Sequence, residues 1–346
     1  MTDRGENSVV SSATAQSMLT LARADLACYC VAQWPQFELA AHHSILIDKL
    51  EAVDRSEIHR LMLFLPPRHG KSLLTSQFFP AWYLGRHPGR NIIFVTYGQE
   101  LSDDFGRRVR NLVAAPLHLA IFPGCRLSED STAAHRFISN RGGTYYAVGR
   151  GGPITGRGAD LLIVDDPIKD REESNSETVR RNLQEWFASV AYTRLMPGGA
   201  IVLVQTRWHE DDLAGWLLRE HAGDGWQVVS FPAMAESDET FRRAGEPLWP
   251  QRFSLEALQQ IRQAVGSATW ESLYQQRPVV AQGGLFKREW WRFYANGRLV
   301  RESFRVGTRR SRRVRKVIIQ FAQLGVWLST AIICSLFGVV AWNSLN

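Results

Sequence analysis

Residues 65–72 read Leu-Pro-Pro-Arg-His-Gly-Lys-Ser and follow directly on the apolar residues 61–64. The apolar run predicts a buried strand, and the spacing of Leu73, Leu74 and Phe78 predicts a helix after the loop. A loop that ends in Gly-Lys-Ser between a strand and a helix is typical of phosphate-binding loops, because its backbone N–H groups and the helix N-terminus attract negative charge. The stretch therefore predicts a site for a nucleoside triphosphate with Mg²⁺.

The polar side chains of this loop have distinct predicted roles. Lys71 is expected to reach the β- and γ-phosphates, the Ser72 hydroxyl to bind Mg²⁺, and Gly70 to let the backbone approach the phosphates. Arg68 is a candidate for contacting the γ-phosphate or sensing its loss. The predicted nucleotide-binding residues of the loop are Pro67, Arg68, His69, Gly70, Lys71 and Ser72.

The loop departs from the common pattern G-x-x-x-x-G-K-[ST] at its first position, which is Leu65 instead of glycine. Pro66 and Pro67 are therefore expected to make the turn. Gly-Lys-Ser alone is also compatible with an ordinary turn before a helix. The strand before the loop and the helix after it favour the phosphate interpretation.

A second motif, Leu-Leu-Ile-Val-Asp-Asp-Pro, occupies residues 161–167. Four apolar residues predict a buried parallel strand, and ligands of open α/β sheets bind at the carboxyl ends of such strands. Asp165 is expected to hold Mg²⁺, and Asp166 to orient or deprotonate the attacking water. A solvated strand end followed by a turn is the alternative interpretation, since Asp-Pro favours turns.

A third strand pattern, at 200–205, also ends in polar residues. Gln205 and Thr206 are expected beside the γ-phosphate if this strand neighbours the loop-bearing strand, where they would couple hydrolysis to motion. Glu210, Asp211 and Asp212 are interpreted as the first turn of a helix over 209–220, in which negative charge favours the helix dipole, rather than as metal ligands.

Arg157 lies in a glycine-rich stretch, Gly-Pro-Ile-Thr-Gly-Arg-Gly, eight residues before Asp165. Such a loop could offer an arginine finger to a neighbouring subunit of a ring, where it would stabilise charge in the transition state. An exposed loop arginine without a catalytic role is the alternative.

The strings LPPRHGKS, GRGADLLIVDDPIKD and VLVQTRWHEDDLAG, in this order and spacing, resemble the ATPase half of a phage or prophage terminase large subunit. The resemblance covers roughly residues 30–295. It implies a P-loop ATPase that uses ATP and Mg²⁺ to translocate double-stranded DNA, acting as a homo-oligomeric ring with a phage portal and a small terminase subunit. The family commonly has Glu where this chain has Asp166, so that the carboxylate here is one methylene shorter.

The resemblance also implies a place for adenine just before the first strand, which makes Trp34 and Gln36 candidates for binding it; packing of Trp34 in the core is an equal alternative. Two other classes of function stay open. A helicase-like nucleic-acid ATPase shares the loop and the acidic pair, and a decayed prophage product would retain the motifs without activity.

Strands are predicted at 58–65, 91–96, 161–165, 200–205 and 227–231, and helices at 17–32, 36–53, 71–84, 99–114, 174–195, 209–220 and 254–265. Their alternation predicts a three-layer α/β fold with a mostly parallel sheet. Ser174 and Glu177 have the spacing of a capping box at the start of the helix over 174–195, and 197–199 (Pro-Gly-Gly) is expected to end it. A hairpin is predicted over 135–148, turning at 141–143.

Charge separates the C-terminal part of the chain from the rest. Residues 297–346 carry nine basic side chains and one carboxylate, Glu302, whereas the whole chain has a net charge of +7. The preceding residues are therefore almost neutral in sum, and composition alone does not reveal a nucleic-acid-binding face. The four cysteines have no metal-ligand or disulfide spacing.

The tail allows two interpretations. Residues 317–342 contain no charged side chain and follow a run of arginines, which is typical of a transmembrane helix with a cytoplasmic basic flank. A tail of unrelated sequence after a frameshift or rearrangement near residue 296 is the favoured alternative. A nuclease domain with two metal ions needs several carboxylates, so nuclease activity is predicted to be absent.

The predicted organisation is a disordered N-terminus (1–16), a P-loop ATPase domain (17–250), a linker helix with an aromatic segment (251–296), and the basic and apolar tail (297–346). No secretory signal opens the chain, which predicts a location in the bacterial cytoplasm, or a membrane tether if the tail is a genuine anchor.

Overall fold

The apolar runs of the sequence form one sheet in a computed structural model that describes residues 15–278. Its strands are β1 (Arg60–Phe64), β2 (Ile92–Thr96), β3 (Leu127–Ala133), β4 (Arg136–Ser139), β5 (Thr144–Gly149), β6 (Ala159–Asp165), β7 (Leu195–Gln205) and β8 (Gln227–Ser230). Their order across the sheet is β3-β4-β5-β2-β6-β7-β1-β8. The six strands from β5 to β8 in this order are parallel, and β4 and β3 add an antiparallel edge. The predicted mostly parallel α/β fold is confirmed.

Helices connect most of the parallel strands. They are α1 (residues 15–24), α2 (Leu26–Gln33), α3 (Ala41–Asp54), α4 (Phe79–Arg86), α5 (Gln99–Ala114), α6 (Pro116–Ile121), α7 (Arg171–Asn175), α8 (Glu177–Trp186), α9 (Leu213–Glu220) and α10 (Leu255–Thr269). The described residues all belong to the first of two units of the chain, Met1–Gly283.

Two apolar layers lie on opposite faces of the sheet, because successive side chains of a strand point to opposite sides. Leu61 and Leu63 of β1 belong to one core cluster, which includes buried residues of α2 to α5. Met62 and Phe64 belong to another, which includes buried residues of α8 and α9. The central strands are buried on both faces and read as continuous apolar runs, as expected of a parallel sheet covered by helices.

The N-terminal helices differ from the prediction. The helix predicted over 17–32 is broken at Asp25, whose carboxylate accepts a hydrogen bond from the Cys28 backbone N–H at 2.7 Å and so caps α2. The helix predicted over 36–53 begins only at Ala41. There the His43 Nδ1 accepts a hydrogen bond from the Ala40 backbone N–H at 3.1 Å and so caps the helix. Histidine is not among the residues that usually cap helices.

The helix after the phosphate loop is also irregular. Residues Leu73–Phe78 form a π-helical turn before α4, with the Phe79 N–H donating to the Leu74 carbonyl. Pro80 has no N–H with which to continue the regular pattern, which accounts for a local departure from α-helical bonding at this point.

The region predicted as one helix over 174–195 consists of α7, α8 and two short irregular turns. The predicted capping box at Ser174 and Glu177 is wrong: Ser176 caps α8 by accepting the Val179 N–H, while Ser174 is buried in α7. The prediction that 197–199 ends a helix is wrong as well, because these residues lie within β7.

The hairpin predicted over 135–148 is confirmed by antiparallel pairing of β4 with β5. Strand β3, which the sequence did not indicate, pairs with the outer side of β4. Within residues 15–278 there is no helix of sufficient length and apolarity to span a bilayer. The candidate span 317–342, the aromatic stretch 285–294 and the N-terminus before residue 15 lie outside the described residues.

Candidate phosphate-binding and hydrolysis site

Three neighbouring strands bring the three sequence motifs to one edge of the sheet. Strand β7 lies between β6 and β1, with Val204 beside Asp165 and Gln205 beside Phe64. The loop after β1, the carboxylates at the end of β6 and the polar residues at the end of β7 therefore meet. This juxtaposition follows from parallel strand order, since carboxyl ends of parallel strands share an edge.

The loop turns through residues with positive φ rather than through its prolines alone. Arg68 has φ of 66° and Gly70 has φ of 85°. Gly70 is required by close approach as well as by φ, because a Cβ at this position would lie 2.4 Å from the His43 Nε2. Leu65, which replaces the first glycine of the common pattern, is fully buried, so this position serves the core of the sheet.

Three histidines that sequence reasoning did not bring together surround the loop backbone. His42 and His43 of α3 and His69 of the loop have no solvent exposure. The Nε2 atoms of His42 and His43 both lie 3.1 Å from the His69 carbonyl oxygen. The His69 Nδ1 lies 2.9 Å from the Pro67 carbonyl, and its ring stacks on Phe253 with centroids 4.6 Å apart. Side chains of helix α3 therefore hold the backbone of the phosphate loop in place.

The two contacts of His43 require a neutral imidazole. Each ring can donate one N–H to a carbonyl oxygen, and the His43 Nδ1 must be unprotonated to accept the Ala40 N–H. Burial lowers the pKa of His42 to about 3 and the pKa values of His43 and His69 to about 4. Neutral histidines add no charge to the loop. The attraction of phosphate groups would then come from the backbone N–H groups of the loop and from Lys71.

Lys71 is paired with Asp166 across the site. Its Nζ lies 2.7 Å from the Asp166 Oδ2, and the lysine is 9% exposed. Burial opposes the charged form of Lys71, but the carboxylates of Asp166 and Asp165 outweigh it and raise the pKa of the lysine. The predicted phosphate-binding cation and the predicted catalytic base are thus each other's partners in this structure.

Asp165 is buried, and one of its oxygens has no partner among the described residues. The Ser76 hydroxyl donates to its Oδ2 at 2.7 Å, whereas its Oδ1 has no hydrogen-bond partner. Burial and the neighbouring Asp166 raise the pKa of Asp165 to about 6, while Lys71, Ser76 and Ser72 act in the opposite direction. An orphaned carboxylate oxygen beside the Ser72 hydroxyl fits a divalent cation, which prefers oxygen ligands.

The backbone around Asp166 connects β6 to β7. Asp166 has φ of 42°, its N–H donates to the Val204 carbonyl at 2.8 Å, and its Oδ1 accepts the Thr206 N–H at 2.8 Å. The Thr206 hydroxyl donates to the Leu65 carbonyl at 3.4 Å, and the buried Gln205 Nε2 has no hydrogen-bond partner within residues 15–278. Thr206 therefore joins the Asp166 carboxylate to the start of the loop, and Gln205 precedes it at the end of β7.

Arg68 and Arg157 are not brought to the carboxylates. Arg68 is exposed on the loop. Arg157 precedes β6, whose opposite end carries Asp165, and a seven-residue strand spans about 20 Å. The Arg157 guanidinium lies 4.0 Å above the Tyr146 ring. Tyr146 is level with Leu162 of β6 across the sheet, and within residues 15–278 no hydrogen bond or ion pair joins the Arg157 side chain to the phosphate loop or to the carboxylates.

Arg150 is the arginine that does lie at the site edge, and the sequence interpretation missed it. It follows β5, and its guanidinium donates to the Pro167 carbonyl at 3.2 Å and to the Glu173 carboxylate at 2.8 Å. The Lys169 N–H donates to the same carboxylate at 3.0 Å. Arg150 and Glu173 therefore fix the loop that follows Asp166. Its position directly after a parallel strand was the available signal.

A cavity of about 450 Å³ adjoins the start of the helix after the loop. It is lined by Gln33, Trp34, Leu73, Gln77, Phe78, Arg108 and Leu112. Trp34 is 43% exposed, so the alternative that it simply packs in the core does not hold. Gln36 is exposed and does not line this cavity.

The acidic residues 210–212 precede helix α9 instead of forming its first turn. Asp212 caps the helix by accepting the Gly215 N–H at 2.9 Å, and it also accepts the Arg207 Nε at 2.8 Å. No group of three His, Cys, Asp or Glu suited to a metal occurs among residues 15–278. The interpretation as helix-associated carboxylates is retained, with its boundary moved to Leu213.

Residues 62–293 match the family described as terminase large subunit, T4likevirus-type, N-terminal. The chain belongs to this family. The matched residues make up two thirds of the terminase chain and contain all three motifs of the site. No curated protein matches it.

Three solved structures illustrate the likeness. The HK97 bacteriophage large terminase is 12% identical with a TM-score of 0.46, over 70% of this chain and 51% of that one. The ATPase domain of the Thermus phage P74-26 large terminase is 15% identical with a TM-score of 0.40, over 70% and 100% of the two chains. A large terminase of a thermophilic bacteriophage in complex with ADP is 11% identical with a TM-score of 0.39, over 66% and 52%. The terminase chain spans about half the length of the HK97 protein.

Proposed function

We propose that the terminase chain is an ATP-hydrolysing motor domain that drives the translocation of double-stranded viral DNA into a capsid. The observation that carries the proposal is the meeting of Lys71, Asp165 and Asp166 at the edge where the phosphate loop ends. Lys71 and Asp166 lie 2.7 Å apart, and Asp165 has an unpartnered buried oxygen. This is the set of groups that phosphoryl transfer to water requires.

Binding is assigned to the loop. The N–H groups of Gly70, Lys71 and Ser72 surround the phosphates, and Lys71 leaves Asp166 to contact them. Pro67, Arg68 and His69 shape the loop, and Arg68 is exposed where a γ-phosphate would approach. Asp165 and the Ser72 hydroxyl hold Mg²⁺, which neutralises phosphate charge when bound.

Catalysis is assigned to the carboxylate that Lys71 releases. Asp166 keeps its contact with the Thr206 N–H through Oδ1, so that Oδ2 is the oxygen that becomes free to accept a proton from water. Asp166 adopts an unusual backbone conformation, with φ of 42°. Gln205 and Thr206 transmit the change to β7.

Adenine is assigned to the cavity beside Trp34. Leu73, which follows Ser72 directly, lines this cavity, so that a nucleotide with its phosphates on the loop can extend into it. Trp34 offers a ring for stacking, and the amides of Gln33 and Gln77 offer hydrogen bonds. Gln36 takes no part in this assignment.

Arg157 is assigned to a neighbouring subunit, since its guanidinium packs on Tyr146 and makes no hydrogen bond or ion pair with its own phosphate loop among the described residues. In a homo-oligomeric ring it would enter the site of the next copy and stabilise charge in the transition state. Rings mixed from wild-type and Arg157→Ala subunits test this. The finger requires the variant to lower turnover in its neighbours, and full neighbour activity contradicts it.

Double-stranded DNA, a portal and a small terminase subunit complete the proposed assembly. Binding to DNA is expected to use the phosphate backbone and to weaken steeply with salt.

The test is ATP hydrolysis by the full chain with and without double-stranded DNA, beside Lys71→Ala. Turnover that depends on Lys71 and rises with DNA supports the motor. Unwinding of a forked duplex would favour a helicase-like ATPase, and turnover no higher than that of Lys71→Ala would indicate an inactive remnant.

A further inference from the structure

A continuous set of hydrogen bonds leads from the phosphate site to the C-terminal end of the described chain. The Asp166 carboxylate binds Lys71 through one oxygen and the Thr206 N–H through the other. The next residue, Arg207, donates its own N–H to the Gln276 side-chain oxygen at 3.2 Å. Gln276 thus contacts the residue adjacent to the one that Asp166 holds.

Gln276 is buried and held in an unfavourable conformation. Its side chain is 6% exposed, and its φ is 57°, in the left-handed region that non-glycine residues rarely adopt. Its amide nitrogen donates to the Leu273 carbonyl while its oxygen accepts from Arg207. Such strain persists only while the surrounding contacts maintain it, so a shift of Arg207 would release Gln276.

The flanking residues attach the same segment elsewhere. The Gln275 amide makes two hydrogen bonds of 3.1 Å to the backbone of Met234, and Arg277 binds Glu236 and Glu271. None of these partners lies at the phosphate site. Of three consecutive residues, Gln276 is therefore the one whose side chain reaches the end of β7.

Arg207 is itself well fixed on the side of the sheet. Its Nε lies 2.8 Å from the Asp212 carboxylate, and its guanidinium lies 5.0 Å above the Phe64 ring of β1. A rotation of the Thr206–Arg207 peptide must therefore pass mainly to Gln276, because the side chain of Arg207 is anchored on α9 and β1.

We propose that Gln276 is a positioning residue that couples the occupancy of the phosphate site to the segment after α10. The inference rests on the proposed function, in which bound ATP takes Lys71 from Asp166. The freed carboxylate then shifts its hydrogen bond to the Thr206 N–H, which moves the adjacent Arg207 N–H. Gln276 loses its fixed partner, and residues 273–277 change conformation with it. The motion thereby reaches the C-terminal end of the described residues.

The test is hydrogen exchange of the amides of residues 270–278 in the full chain, with Mg²⁺ and either ADP or a non-hydrolysable ATP analogue. In the wild type, exchange is expected to differ about fivefold or more between the two nucleotides. Gln276→Met, which keeps the length but removes the acceptor, is expected to abolish the difference. Gln276→Glu, which keeps an oxygen for the Arg207 N–H, is expected to retain it.

Gln275→Met is the matched control. It removes contacts to Met234 from the same segment, so it should raise exchange with both nucleotides and leave their difference intact. A Gln276→Met variant that keeps the difference would show a structural role only and would overturn the proposal. The proposal would also be overturned if the wild type binds both nucleotides but shows the same hydrogen exchange with each. Failure to bind either nucleotide would instead refute the proposed function, and this inference with it.

Discussion

The Lys71 Nζ lies 2.7 Å from the Asp166 Oδ2, so that the proposed phosphate-binding cation and the proposed catalytic base neutralise each other. Both groups are largely removed from solvent, and an unpaired charge there would be costly. ATP supplies negative charge that can replace Asp166 as the partner of Lys71. In the proposed mechanism two events are therefore linked: phosphate engages the lysine, and the carboxylate becomes available to water.

Removal of the lysine should abolish turnover. Lys71→Ala loses a charge-assisted contact with phosphate and leaves Asp166 unpaired, so we expect ATP affinity to fall about 10- to 100-fold. Turnover should fall to background. Lys49→Ala, further along α3 than the histidines that contact the loop, is a matched control that should change neither quantity, as measured by nucleotide titration and phosphate release.

The glycine before the lysine should tolerate no side chain. Gly70→Ala combines a positive φ with a Cβ 2.4 Å from the His43 ring, and we expect a loss of about 1–3 kcal/mol in the free energy of unfolding. In the double variant Gly70→Ala/His43→Ala the steric clash disappears. The double variant should therefore lose less free energy of unfolding than the sum of the losses of the two single variants. Strict additivity in urea denaturation would contradict the contact.

Acid should destabilise the domain through its buried histidines. His42, His43, His69 and His118 have pKa values lowered to between about 3 and about 4 by burial. The unfolded chain therefore binds more protons than the folded one between pH 6.5 and about 4, and stability falls as pH falls through this window. Asp165 has a raised pKa of about 6, so its contribution to stability rises as pH falls from about 6 to 3.8. This single group opposes four histidines, so the net stability still falls.

By pH 5 each histidine should lower the free energy of unfolding by about 1–2 kcal/mol relative to pH 7. Urea denaturation followed by tryptophan fluorescence measures this dependence. His69→Gln should reduce the slope of the free energy of unfolding against pH by the contribution of one proton. A stability that is constant or rises between pH 7 and 5 would refute the neutral cluster.

The cavity beside Trp34 should distinguish nucleotides from bare phosphates. Trp34→Ala removes a stacking surface of about 0.5–1.5 kcal/mol, so ATP should bind about 2- to 10-fold more weakly. Binding of inorganic triphosphate, which has no base, should not change. Equal weakening of both ligands would place the tryptophan in a structural role.

Arg150 should support the loop that carries the base. Arg150→Ala removes the bonds to Pro167 and Glu173, and we expect the turnover number to fall about tenfold with little change in KM, since the carboxylate is displaced while the phosphate loop is intact. Arg136→Ala, an exposed arginine on the antiparallel edge, is the control. A change confined to KM would contradict the positioning role.

Much of the site could be predicted because strand order converts sequence into proximity. Polar residues at the carboxyl ends of β1, β6 and β7 must meet once the strands are parallel neighbours, and Lys71, Asp165, Asp166, Gln205 and Thr206 do so. The apolar runs that specified these strands are buried on both faces. Their length and composition left little freedom in assigning them.

What could not be predicted depends on contacts between distant elements. His42 and His43 read as ordinary helical residues, and only packing of α3 on the loop shows that they bind the His69 carbonyl. The contact of Arg157 with Tyr146 depends on the path of an irregular segment, which has no periodicity from which to predict it. Helix breaks at Asp25 and Ser176 were missed because a single capping side chain decides them.

The most direct test of the exchange of partners is the ATP affinity of Asp166→Asn. The amide keeps an oxygen for the Thr206 N–H but frees Lys71 from its carboxylate, so the account predicts tighter ATP binding, about tenfold, together with loss of turnover by a factor of about 100 or more. Lys71→Ala should lose turnover with weaker binding. If Asp166→Asn instead binds ATP more weakly than the wild type, or still hydrolyses it at the wild-type rate, the exchange of Lys71 between carboxylate and phosphate does not occur.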